Sequence, residues 1–159
     1  MRVDAALAVA LFGNFVLTVS VILVGIQVRE MTRQSRHGVQ ATLASVYQAM
    51  NNEMMQINRL FVDRPSLRPY FYEDRELAEE SPEERERIDA TAELFVNFID
   101  NVLTQMPLLP GHLAQPWRTY FASVTTTSPV LREFWKRHRE WYSEEMTVFL
   151  DPLMLRLES

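Results

Sequence analysis

The sequence predicts an all-α protein: one N-terminal transmembrane helix followed by a small antiparallel helical bundle. Three observations predict it. Residues 5–28 contain neither a charge nor a proline. Beyond them, apolar residues recur at three- and four-residue spacing in successive segments, the period of an amphipathic helix. Between those segments stand Asp63-Arg64-Pro65, Ser81-Pro82 and Ser128-Pro129, combinations that stop and start helices. The expected organisation is a transmembrane anchor over 1–28, a basic juxtamembrane collar over 29–38 and a soluble helical domain over 39–159.

The apolar run comes first. Its 24 residues make roughly 36 Å of helix at ~1.5 Å per residue, and a bilayer core of about 30 Å is crossed by ~20 apolar residues. A buried core helix of a small domain carries a polar stripe, and this segment has no charge on any side. A cleaved signal peptide has a shorter apolar region of about 7–15 residues followed by a small-x-small site. Here the small-x-small triplets fall inside the run.

At 100° per residue, Ala6, Ala10, Asn14, Thr18, Val21 and Gly25 share one side of this helix. Leu11, Phe12, Phe15, Val16, Val19, Ile22, Leu23 and Ile26 share the other. Small and polar residues let a second helix approach and hydrogen-bond across the contact, while an asparagine facing lipid leaves its amide unpaired. The first face is therefore expected to pack against another transmembrane helix.

The flanks set orientation. Arg2 and Asp4 cancel before the run, whereas Arg29, Arg33 and Arg36 outweigh Glu30 after it. Arginine-rich short flanks stay in the cytoplasm. The expectation is a single-pass protein of the inner (cytoplasmic) membrane, N-terminus outside and C-terminal domain cytoplasmic. The three arginines would meet anionic lipid headgroups, each gaining roughly 1 kcal/mol.

Gly38 either kinks the chain or sits within a continuous helix at a cost of about 1 kcal/mol relative to alanine. Val39, Leu43, Val46, Met50, Met54, Ile57 and Phe61 then mark an amphipathic helix over about 39–62. The methionines of this stripe suit a core more than an adaptable binding surface. Residues 65–72, with two prolines and three aromatics, read as a structured turn packed on the bundle. Residues 73–89 hold nine acids against three arginines, the composition of a solvated face.

Ser81-Pro82-Glu83-Glu84 is a capping-box start. Ile88, Ala92, Phe95, Ile99, Val102 and Met106 form the apolar stripe of the helix that follows, closed by Pro107. Residues 107–116 read as a connector, and 117–125 as a helix with Trp117, Phe121 and Val124 inward. Ser128-Pro129 starts another, with Leu131, Phe134, Trp135, His138, Trp141 and Tyr142 on its inner side. In the tail, 146–157, Pro152 predicts a break. Phe149, Leu150, Leu153, Met154, Leu155 and Leu157 there are candidate partner-docking residues, because so apolar a segment does not stay in water unpaired. The tail carries Arg156 against several acids, which argues against a membrane-surface helix and leaves self-packing or a partner.

The 159 residues suffice for a helical core without metal or disulfide support. There is no cysteine, which excludes thiolate catalysis, disulfides and cysteine-ligated metals. A net charge of −5 disfavours nucleic acid as a partner. With four glycines the chain has no phosphate-cradling loop. No Glu-x-x-His pair of a di-iron bundle, no His-Glu-x-x-His and no Gly-x-Ser-x-Gly occurs. His138, on an aromatic stripe, could ligate a haem but reads as a structural histidine. No polar cluster at helical spacing stands within the apolar stripes. No enzyme, cofactor or metal site is expected.

Two motifs carry a resemblance: Asp63-Arg64-Pro65-Ser66-Leu67-Arg68-Pro69-Tyr70-Phe71, and the Ser-Pro-x-Leu-x-x-Phe-Trp-x-x-His pattern running from Ser128 to His138. With the single span, the basic collar and the methionine-rich helix, the chain resembles uncharacterised single-pass bacterial membrane proteins of unknown function. That resemblance implies an anchored helical domain and no activity. The functional expectation is a membrane-anchored helical interaction protein, an accessory or scaffold subunit of a larger integral-membrane assembly such as an energy-transducing complex. It would meet other integral-membrane proteins through the span and the bundle. The alternative is a membrane-tethered small-molecule sensor or signalling effector, which requires a cavity with convergent polar groups.

Overall fold

The structure is a computed structural model that describes the backbone of residues 2–77 and 80–157, and the side chains of 20–35, 37–77 and 80–157. Every element it contains is helical. The chain divides into two compact units, Met1–Ala44 and Ser45–Ser159, a boundary a few residues beyond the expected start of the helical domain at 39. Helix α1 is Arg2–Asp63. It runs unbroken through Gly38, where an added Cβ would meet nothing within 4 Å, so the glycine serves no close approach. The amphipathic helix expected over about 39–62 is the last two-fifths of α1, so of the two alternatives at Gly38 the continuous helix is the one found. Among the described residues no helix is long and apolar enough to cross a membrane. The run over 5–28 falls mostly where side chains are not described.

In the second unit, α1 ends at Asp63, before Pro65. The turn expected over 65–72 is a 3-10 turn, Pro65–Leu67, leading into a short helix α2, Arg68–Tyr72. Leu67, Tyr70 and Phe71 are buried, so the turn does pack down on the bundle. Helix α3 is Pro82–Gln105, and the Ser81 hydroxyl accepts from the Glu84 N–H at 3.3 Å. The Glu84 carboxylate accepts from Arg87 at 2.7 Å.

Helix α4 is Gly111–Thr127, six residues longer at its start than the expected 117–125. Pro116 therefore lies within it. The Pro110 carbonyl accepts from Leu113 and Ala114 at 2.8 and 3.1 Å, which nucleates the helix upstream of the proline. Pro116 forfeits the bond to the His112 carbonyl, and that loss near a helix start is tolerated.

Helix α5 is Pro129–His138. A 3-10 turn, Arg139–Trp141, connects it to α6, Glu144–Leu157. The break expected at Pro152 is not made: α6 continues through it. Ser143 starts α6, accepting from the Met146 N–H at 3.2 Å and donating to the Asp100 carboxylate of α3.

Helix α3 packs against α5 and α6, α2 against α4 and α5, and α4 against α5 and α6. The core is aromatic. Phe71 of α2 stacks on Phe95 of α3, with centroids 5.9 Å apart and planes 8° from parallel. Phe61 of α1 lies 5.4 Å from Phe71, and Phe98 meets Phe121 edge-on at 5.7 Å. Each such pair adds about 0.5–1.5 kcal/mol beyond its buried area.

Candidate functional site

The first candidate surface is the stretch of α1 beyond residue 19. Val21, Ile22, Leu23, Val24, Ile26 and Val28 are all exposed, at 54 to 71%. At 100° per residue they occupy every side of the helix rather than one stripe. Covering one such aliphatic side chain is worth about 1.5–3 kcal/mol, so the six together represent on the order of 10 kcal/mol awaiting cover. Of the residues assigned to the span's packing face, Val21 and Gly25 are exposed. Ala6, Ala10, Asn14 and Thr18 lie outside the described side chains. Arg29 and Arg33 are exposed immediately beyond the aliphatic stretch, and Arg36 is outside the described side chains.

The C-terminal docking set divides. Leu150 and Met154 face the bundle core together with Met146, because i, i+4 and i+8 lie on one helix face. Both are covered by the bundle itself, which leaves them no exposed surface to offer a partner. Phe149 and Leu153 are half-buried. Leu155 points outward at 68% exposure, as does Val148 at the same value, and Leu157 is exposed. The inner side expected for α5 is corrected in the same way. Leu131, Phe134 and Trp135 are buried, but Trp141 is exposed, because α5 ends at His138 and the 3-10 turn changes the register. His138 is half-buried, with its ring 4.6 Å from Phe134 and 4.0 Å from Trp141.

Two of the clefts in the second unit have walls from both α1 and a later helix. One, of about 280 Å³, is walled by Tyr47 and Met54 of α1 and by Pro116, Trp117 and Tyr120 of α4. The Tyr120 hydroxyl is 2.7 Å from that of Tyr72 and reaches the Met54 sulfur at 3.8 Å. Burial pushes both phenols above their usual range; the shared hydrogen bond reinforces the rise at Tyr120 and opposes it at Tyr72. Neutral at physiological pH, this pair serves as a packing contact and offers no base.

The other cleft, of about 430 Å³, is lined by Glu53, Gln56 and Ile57 of α1 and by Leu94, Asn97, Phe98 and Asn101 of α3. Asn101 Nδ2 donates to both oxygens of Glu53, at 3.1 and 2.9 Å. Gln105 donates in turn to the Asn101 carbonyl. Sequence reasoning missed this convergence, because each pair lies on the flank of its own stripe. The signal was the spacing of Glu53 and Gln56 at i, i+3 and of Asn97 and Asn101 at i, i+4, each pair on one face of its helix.

Among the described residues no group of three or more His, Asp or Glu side chains is placed to hold a metal ion. No protein-family model, curated protein or solved structure matches the chain.

Proposed function

We propose that this protein is a membrane-anchored helical interaction protein, an accessory or scaffold subunit of a larger integral-membrane assembly. The observation that carries the reading is the set of aliphatic side chains exposed on every side of α1 between Val21 and Val28. They continue the uncharged run that begins at Ala5 and are followed at once by exposed Arg29 and Arg33. A surface apolar all round suits acyl chains and neighbouring spans, and the arginines suit the anionic cytoplasmic headgroups. The inner-membrane location, with the helical domain cytoplasmic, rests on that arginine bias. Outward Val148, Leu155 and Leu157 on α6 offer the bundle a contact with a partner subunit.

The test is fractionation of the full chain. It is expected to remain in the membrane pellet after alkaline carbonate extraction, and a reporter fused after Ser159 is expected to be active only in the cytoplasm. Release by carbonate overturns the anchor, and periplasmic reporter activity overturns the orientation. Purification in mild detergent is expected to bring a larger membrane protein with it.

A second reading, a membrane-tethered small-molecule sensor, is favoured by one observation: the cleft between α1 and α3 with its convergent carboxylate and carboxamides. It predicts a saturable small ligand where the first reading predicts a protein partner.

A further inference from the structure

Glu53 is a half-buried carboxylate at the wall of the α1–α3 cleft. Its neighbour Asn101 Nδ2 bridges both oxygens, which occupies the edge that a forked donor would use. A carboxylate has about four acceptor positions, so the outer lone pairs remain. Among the described residues Glu53 makes no ion pair, and the side chains of Gln56 and Asn97 make no hydrogen bond with protein. The cleft floor is apolar, formed by buried Ile57 and Phe98 with Leu94 at the rim.

We infer that this cleft binds an alkylammonium group, with the ammonium held by Glu53, Gln56 and Asn97 and its alkyl chain laid over Ile57, Leu94 and Phe98. The inference deepens the sensor reading by naming its ligand class, and it requires neither the anchor nor a partner. A primary ammonium has three donors, and the three side chains supply one charged and two neutral oxygen acceptors. One positive charge balances the one carboxylate. An anion would meet Glu53 with no cation in the lining. A guanidinium prefers the bidentate edge, which Asn101 already covers. A quaternary ammonium has no N–H to give and is held by a cage of several aromatic faces, whereas the lining has one aromatic side chain, Phe98. The cleft volume lies within the 300–1,000 Å³ range typical of small-molecule sites. The ammonium can belong to a free amine or to a lysine side chain.

The experiment is titration of the full-length protein in non-ionic detergent with butylamine, followed by calorimetry and by the side-chain amide resonances of Gln56 and Asn97. Saturable binding that shifts both amides is expected, with none from butanol, butyrate or tetramethylammonium. Glu53→Gln keeps a partner for Asn101 and removes the charge. It is expected to weaken binding at least about tenfold, the scale of one charge-assisted hydrogen bond. If that variant loses its fold, Asn97→Leu, at an exposed side chain with no protein hydrogen bond, is expected to weaken binding severalfold with unchanged melting. Tighter binding of an end-capped lysine than of butylamine supports the site and assigns it to a lysine. No saturable binding, equal binding of butanol, or undiminished binding by the folded variants overturns it. Those outcomes leave the membrane reading standing, because carbonate extraction tests that separately.

Discussion

The Ser128 hydroxyl donates to the Tyr70 carbonyl at 2.7 Å and accepts from the Leu131 N–H at 3.1 Å. One fully buried oxygen thus starts α5 and satisfies the backbone of α2, 58 positions away in sequence. Neither partner has access to water if it is lost. Ser128→Ala is expected to destabilise the domain by about 2–4 kcal/mol, combining a lost cap with an orphaned buried carbonyl. Ser128→Thr, which keeps the oxygen, is expected to recover part of it. Chemical denaturation of the two variants checks this; an alanine variant as stable as the parent would sink the assignment.

The divided tail predicts a divided response. Leu150→Ala empties a fully buried site between α6 and its neighbours and is expected to cost about 2–5 kcal/mol. Leu155→Ala removes an exposed side chain and is expected to stay within about 0.5 kcal/mol, while reducing recovery of a co-purifying membrane protein. Thermal melting and a detergent pull-down, run on both variants, read the two effects independently. Loss of stability in the Leu155 variant would place that side chain in the core.

Pro152 is exposed within α6. It denies the Val148 carbonyl its helical partner and presses its ring on that turn, at a cost of about 3 kcal/mol or less where the turn relaxes. Pro152→Ala is therefore expected to raise the melting temperature, an uncommon direction for a substitution. A fall would mean that the ring packs on something its exposure does not suggest.

Tyr142 gives the domain an alkaline limit. Burial, with the nearby Glu93 and Asp100 carboxylates adding to it, pushes its phenol up to about 12 from an ordinary 10.0. The folded chain then holds this proton when the unfolded chain has lost it, so stability is intact below pH 10 and falls as pH rises from 10 towards 12. Tyr72 and Tyr120 shift in the same direction and steepen the fall. Tyr142→Phe is expected to give a shallower decline across that interval and no change at neutral pH. Denaturation midpoints measured through it supply the check.

The helical pattern was legible in the sequence wherever a stripe and a cap coincided. Ser81 and Ser128 announced α3 and α5, because serine followed by proline has one economical use at a helix start. Ser143 went unread, since Glu144 follows it instead of proline and its second partner, Asp100, is remote in sequence. The errors at Pro116 and Pro152 share a cause. Local propensity ends a helix at proline, but burial of Ala114 just ahead of Pro116 in one case and of Met146, Leu150 and Met154 in the other outweighs one lost hydrogen bond. The division of the docking residues needed the register of α6, which the presumed break concealed. The α1–α3 cleft needed two helix faces set opposite each other, and no single-segment pattern contains that.

The bond between Ser128 and Tyr70 also dictates an order of events during synthesis. A ribosome delivers α1 and α2 first, yet the Tyr70 carbonyl has no partner until the chain has emerged past residue 128. Phe71 lacks its cover until Phe95 follows. The final seal waits for Met146, Leu150 and Met154 of α6. The helical domain is thus committed to finishing late, and for most of its synthesis its aromatic centre is open to whatever chaperone or translocation machinery attends the nascent chain.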